Sequence, residues 1–129
     1  MHIEHLAIWC KDLEAMKTFY VKWFNATANT RYHNPVKQFS SYFLTFGEGV
    51  RLELMEMSGV IFTHNDLNHV YTGLAHFAIS FGTAEEVNRL TAVMRNAGVK
   101  ILGEPRFTGD GYYESVVADP EGNRIELTI

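Results

Sequence analysis

The stretches Ile3-Glu4-His5-Leu6-Ala7-Ile8 and Leu74-Ala75-His76-Phe77-Ala78-Ile79 are one strand written twice, each with a single histidine beside alternating apolar residues. A closing strand follows in each half, Arg51-Leu52-Glu53-Leu54 and Arg124-Ile125-Glu126-Leu127, and the interval from His5 to Glu53 nearly equals that from His76 to Glu126. The chain is therefore an internal repeat with a histidine at the opening and a glutamate at the close of each copy. Two histidines and two glutamates are a complete ligand set for a divalent metal.

Between those strands each half repeats one plan. Asp12 precedes Leu13, Met16, Phe19, Tyr20 and Trp23 at helical spacing, and Thr83 opens a Thr-x-x-Glu box before Val87, Leu90, Val93 and Met94, with Gly98 as the stop. These stripes are core positions and carry no functional weight. Three β-like runs follow each helix, at about 26–33, 38–46 and 50–57 and again at about 99–107, 112–118 and 123–129, punctuated by Gly47-Glu48-Gly49, Thr108-Gly109-Asp110-Gly111 and Asp119-Pro120-Glu121-Gly122-Asn123. The expected organisation is one α+β domain of two βαβββ modules, about 1–57 and 73–129, joined by a polar connector at 58–72. A single module cannot bury its own sheet, so the pair should form a curved, partly open, barrel-like sheet with helices outside.

Strand alternation sorts the side chains. Leu6, Ile8, Leu52, Leu54, Phe77, Ile79, Ile125 and Leu127 share the face that suits helix packing, while His5, Glu53, His76 and Glu126 share the other. With the second set go Trp9, Arg51, Met55 and Arg124, which are the expected substrate-cleft residues. Glu56 falls on the leucine face or past the strand end and reads as solvated. His2, His33, His64 and His69 have no symmetric partners and read as surface residues, with His64 or His69 placed to gate a cleft.

Two carboxylates aimed into a partly apolar concavity repel each other and lose hydration, a cost of several kcal/mol unless a cation or proton compensates. Taken singly, a strand histidine is a hydrogen-bonded core residue and a strand-end glutamate a solvated charge; their joint occurrence at equivalent repeat positions points to a metal. Two imidazoles and two carboxylates neutralise a divalent ion and, in an octahedral site, leave two positions for water or substrate oxygens. Nickel, zinc, cobalt, manganese and ferrous iron all accept this set.

Composition narrows the partner. The 129 residues are 47% apolar and 13% aromatic, enough for one domain with a real core, and the formal charge of −4 comes without a basic run or face. Nucleic acid and anionic membrane are thereby excluded as main partners, and a small molecule is expected. The lone Cys10 makes no intrachain disulfide and reads as a packed thiol. Met1-His2-Ile3-Glu4-His5 has no signal-peptide pattern, and no apolar run reaches the roughly 18–20 residues of a membrane helix, so a soluble, cytoplasmic protein is expected.

These motifs, with the ending Asp119-Pro120-Glu121-Gly122-Asn123-Arg124-Ile125-Glu126-Leu127, resemble the vicinal oxygen chelate superfamily of glyoxalase I, bleomycin-resistance proteins and extradiol dioxygenases, over essentially the whole chain. His5, Glu53, His76 and Glu126 match the ligand order of glyoxalase I. The resemblance implies a metal that binds vicinal substrate oxygens and stabilises an enediolate, with Glu126 as principal base and Glu53 as its partner. Trp9 and Met57 stand where similar bacterial glyoxalases carry an Arg and an Asn for glutathione, and Arg106 alone represents the basic lid. The resemblance thus implies a substrate other than the glutathione hemithioacetal, with Arg51, Arg124 and Arg31 as the remaining anion contacts. A metal-free protein that sequesters a drug-like aromatic compound on Trp9, Tyr42, Phe43, Tyr112 and Tyr113 is the alternative. An oxygen-activating dioxygenase is a third reading, and Glu53 would fill its open iron position. A homodimer is expected, with the site formed within one chain or across two.

Overall fold

Asp12 and Thr83 set the geometry of both halves by starting their helices where the first strands end. The Asp12 carboxylate accepts a hydrogen bond from the Ala15 amide (2.9 Å), and the Thr83 hydroxyl one from the Glu86 amide (3.2 Å), satisfying donors that a helix start leaves unpaired. At the far end of the second helix the Val99 and Gly98 amides donate to the carbonyls of Met94 and Arg95, both at 3.0 Å. This is a Schellman closure, and it needs the left-handed φ of +85° that Gly98 adopts without penalty.

The computed structural model describes residues 1–62 and 66–129, and each of these two stretches forms a compact unit. The first comprises β1 (His5–Trp9), α1 (Leu13–Phe24), β2 (Thr27–Ala28), β3 (Tyr32–Asn34), β4 (Phe39–Thr45) and β5 (Arg51–Met57). The second comprises β6 (Phe77–Ser80), α2 (Ala84–Asn96), β7 (Ile101–Phe107), β8 (Tyr113–Ala118) and β9 (Arg124–Thr128). The sheet orders are β1-β5-β4-β2, with β3 also on β4, and β6-β9-β8-β7. The first strand of each unit pairs parallel with the last, β1 with β5 and β6 with β9, and the remaining pairs are antiparallel. The mixed α+β class with sheets that do not close agrees with the sequence reading.

The run expected at 26–33 is two short strands instead of one. Asn29 breaks it: its amide donates to the Phe43 carbonyl (3.1 Å) while its side-chain oxygen accepts from the Phe43 amide (2.8 Å), so a side chain replaces one ladder bond. His33, read as a surface residue, is exposed in β3 with Nδ1 2.9 Å from the Ser40 hydroxyl. In β7 the register against β8 shifts on both sides of Gly103, in the segment where Pro105 has no amide to donate.

Each helix covers one face of its own sheet. In the first unit Leu13, Met16 and Tyr20 are buried with Leu44, Leu52 and Leu54; in the second Val87, Leu90 and Met94 are buried with Val117, Ile125 and Leu127. Each such side chain, fully buried, contributes about 1.5–3 kcal/mol relative to exposure. The buried hydroxyls of Thr91 and Ser115 meet at 2.7 Å between α2 and β8. Cys10 is buried, as the sequence suggests. Among the described residues no helix is long and apolar enough to cross a membrane.

Candidate functional site

The face of each sheet turned away from its helix carries the residues singled out by alternation. In the first unit β1 stands against β5 with His5 opposite Arg51, Ala7 opposite Glu53 and Trp9 opposite Met55, and β4 places Phe43 opposite Glu53 and Phe39 opposite Met57. Directly paired residues point to the same side of a sheet, so these side chains share one face. His5 Nε2 lies 3.8 Å from Glu53 Oε2. The imidazole edge meets the Phe43 ring at a centroid distance of 5.4 Å and 88°.

The second unit repeats the pair. Glu126 lies opposite Ala78 in the β6–β9 ladder, and His76, one residue before β6, brings Nε2 to 3.2 Å from Glu126 Oε2. The glutamate side chains are 15% and 18% exposed for Glu53 and Glu126, against 39% and 45% for His5 and His76, so the carboxylates sit at the floor and the imidazoles at the rim. Burial pushes the Glu126 carboxyl above its ordinary value; His76 and Arg106 oppose the shift, and Glu114 and Asp110 add to it. A carboxylate that has lost hydration beside an imidazole is a fitting donor for a cation, and each unit offers one such pair. Among the described residues no group of three or more His, Cys, Asp or Glu is gathered closely enough to hold a metal ion.

The cleft residues divide. Trp9 is 43% exposed and contacts Phe39 edge-on at 6.2 Å, and Phe39 in turn meets Tyr32 at 6.1 Å, with exposed Met57 opposite Phe39. This is an apolar ledge on the same face as His5 and Glu53. Arg51 is engaged with Glu4: its Nε donates to Glu4 Oε1 at 2.7 Å, its Nη2 joins the same oxygen, and its guanidinium lies 4.2 Å above the Phe43 ring. The Arg124 guanidinium donates to the Leu67 carbonyl at 2.9 Å. Arg31 is on the opposite face, bound to Glu56 and, at 3.1 Å, to the Ser40 hydroxyl; Glu56 is therefore paired, where the sequence suggested simple solvation. Tyr42 is likewise on the helix side, donating to Glu14 at 2.8 Å. His69 pairs with Asp66 at 2.5 Å, and the gating role suggested for His64 lies outside the described residues.

Two acidic residues escaped the sequence reading. Glu114 is 8% exposed, lies opposite Thr128 and so on the Glu126 face, and takes a 3.4 Å contact from Arg106; its only signal was a charge inside an otherwise apolar strand. Glu4, next to His5, bridges that imidazole and Arg51, with Oε2 2.5 Å from His5 Nδ1. Both partners hold its carboxyl below the ordinary range, His5 the more strongly.

Comparison with known proteins identifies the family. The model of the Glyoxalase/Bleomycin resistance protein/Dioxygenase superfamily matches residues 2–127. Among solved structures, glyoxalase I from Zea mays superposes with a TM-score of 0.78 at 25% identity over 98% of this chain and 44% of that one, so the chain spans less than half of the maize enzyme. The trypanothione-dependent glyoxalase I of Leishmania major superposes with a TM-score of 0.75 at 26% identity, over 99% of this chain and 86% of that one. A glyoxalase/bleomycin resistance protein/dioxygenase domain from Frankia sp. has the same fold (TM-score 0.80, 15% identity, 100% and 97% covered). No curated protein matches in sequence. With a family match that runs nearly end to end, the chain belongs to the Glyoxalase/Bleomycin resistance protein/Dioxygenase superfamily, the vicinal oxygen chelate proteins.

Proposed function

We propose that His5, Glu53, His76 and Glu126 together hold one divalent metal ion, and that the protein is a glyoxalase-like lyase or isomerase of a small substrate with vicinal oxygens. The observation that carries this reading is the His–Glu pair built at the same sheet position in both units. Nickel, zinc, cobalt, manganese and ferrous iron suit two imidazoles and two carboxylates. The two repeats act as one glyoxalase-like domain in a cytoplasmic homodimer, with the four ligands drawn from one chain or from two.

Bound there, the ion would polarise two adjacent substrate oxygens and stabilise the negative charge that develops when a neighbouring carbon loses a proton. Glu126 is the base that accepts this proton and returns it to the adjacent carbon. Without the ion, burial raises the proton affinity of this carboxyl, and His76 and Arg106 oppose the shift. Glu53 is its counterpart in the first unit. Trp9, Met55, Arg51 and Arg124 line the substrate region, where the apolar ledge and the engagement of Arg51 with Glu4 favour a substrate without glutathione's charges. The test is to strip the protein with chelator, reload it with nickel, zinc or manganese, and measure bound metal. Stoichiometric uptake is expected, and its absence with all three ions would overturn the reading.

The ledge supports a second reading, a metal-free protein that sequesters an aromatic compound on Trp9, Phe39 and Tyr32. Tryptophan quenching by aromatic ligands that is unchanged in the metal-stripped protein, together with no metal uptake, would favour it.

A further inference from the structure

The two His–Glu pairs are alike in position but not in support. In the first unit a closed set of contacts surrounds His5: Glu4 Oε2 lies 2.5 Å from Nδ1, Arg51 Nε donates to Glu4 Oε1 at 2.7 Å, and the Arg51 guanidinium and the His5 ring both pack on Phe43, at 4.2 Å and 5.4 Å. The Arg51 amide also donates to the Glu4 carbonyl at 3.1 Å, so backbone and side chain fix Glu4 to the start of β5. In the second unit Ala75 occupies the place of Glu4, and Arg124, the counterpart of Arg51, is turned to the Leu67 carbonyl.

We propose that Glu4 is a positioning residue that holds His5 with its proton on Nδ1 and its lone pair on Nε2, facing Glu53 and ready for a cation. An ionised carboxylate can only accept, so the imidazole nitrogen beside it must be the donor. A neutral imidazole with Nδ1 protonated has its free lone pair on Nε2, the atom that lies 3.8 Å from Glu53. Arg51 fixes the carboxylate through two donors, and the Phe43 ring limits rotation of both the guanidinium and the imidazole. A carboxylate behind a ligand histidine fixes its tautomer and raises its basicity, and loss of such a partner weakens metal binding by about 10- to 100-fold. His76 has no such support from the preceding residue. The first unit is accordingly the preorganised half of the ligand set.

This inference rests on the reading of His5 as a metal ligand, and two measurements separate the two. Long-range proton–nitrogen NMR correlations of the metal-free protein report the His5 tautomer directly. Calorimetric titration with zinc reports affinity. In Glu4→Ala the Nδ1-protonated form should lose its predominance and the zinc Kd should rise about 10- to 100-fold. Glu48→Ala, which removes the same charge from an exposed turn, should change neither. Glu4 is exposed, and an unchanged unfolding midpoint would show that the fold is retained. An unchanged His5 tautomer in Glu4→Ala, a Kd within twofold of the parent, or an equal loss in Glu48→Ala would overturn the inference. If the parent protein takes up no zinc, the tautomer alone decides whether Glu4 orients His5, and the metal reading itself fails if nickel and manganese are refused as well.

Discussion

His76 Nε2 stands 3.2 Å from Glu126 Oε2, closer than the 3.8 Å between His5 Nε2 and Glu53 Oε2, although among the described residues it is His5 that has a second carboxylate, Glu4, behind its imidazole. The tighter pair thus contains the carboxylate whose proton affinity burial raises, and the looser pair contains the histidine held from both sides. Equivalent positions in the repeat have been given different physical tasks.

Removing a proposed ligand should cost more than removing the residue behind one. Glu126→Gln and His76→Ala should each weaken zinc or nickel binding by more than about 100-fold, beyond the outer range for a supporting group. Calorimetric titration of the stripped proteins measures this, and a loss under about tenfold in both variants would remove Glu126 and His76 from the ligand set.

The raised Glu126 carboxyl makes a signed prediction for the metal-free protein. Because its folded pKa lies above the unfolded value, the native state holds the proton more tightly, and the stability this gives is fully present below the unfolded pKa and lost as pH rises through the folded one. Glu126→Gln, which cannot ionise, should therefore unfold at a higher temperature than the parent at pH 7, with the advantage shrinking as pH falls toward about 4.5, the ordinary glutamate range, and absent below it. Thermal melts from about pH 3.5 to about pH 8, which span the ordinary glutamate range and neutral pH, check it; a parent protein more stable than the variant at pH 7 without metal would contradict it.

The ledge predicts where aromatic ligands are sensed. An aromatic ring stacked on Trp9 gains about 0.5–1.5 kcal/mol beyond area burial, so Trp9→Ala should weaken binding of a catechol-type probe by roughly 2- to 12-fold. Fluorescence titration suits the parent and calorimetry the variant. Equal affinities would place the aromatic site elsewhere.

The buried hydroxyl pair ties α2 to β8. Thr91→Val leaves the Ser115 hydroxyl without that partner and should cost about 1–3 kcal/mol in urea unfolding, while Thr91→Val/Ser115→Ala should cost less than the sum of the single changes. Additive losses would show that the two hydroxyls do not act as a pair.

Much of this was legible in the chain because it is local. Asp12, Thr83 and Gly98 mark helix ends through bonds a few residues away, and period-two alternation separates His5 and Glu53 from the leucines of their strands. What escaped depends on contacts between distant segments. The Glu4–Arg51 bond exists only because the first strand of the unit lies parallel to the last, and the split at Asn29 requires its side chain to find Phe43. Glu114 is buried by the strands on either side of it, which no spacing within its own strand reveals. The side of the sheet that Arg31 takes follows from its bond to Glu56 and was equally invisible.

β1 and β6 are the terminal strands of their sheets, so the two histidines stand where the hydrogen-bonded ladders end, His5 in β1 and His76 just before β6. On the proposed function, a repeat unit supplies half of a coordination sphere, and metal stoichiometry becomes a count of repeats. One ion for every two repeats is the arithmetic of that arrangement, whichever chain supplies the second repeat.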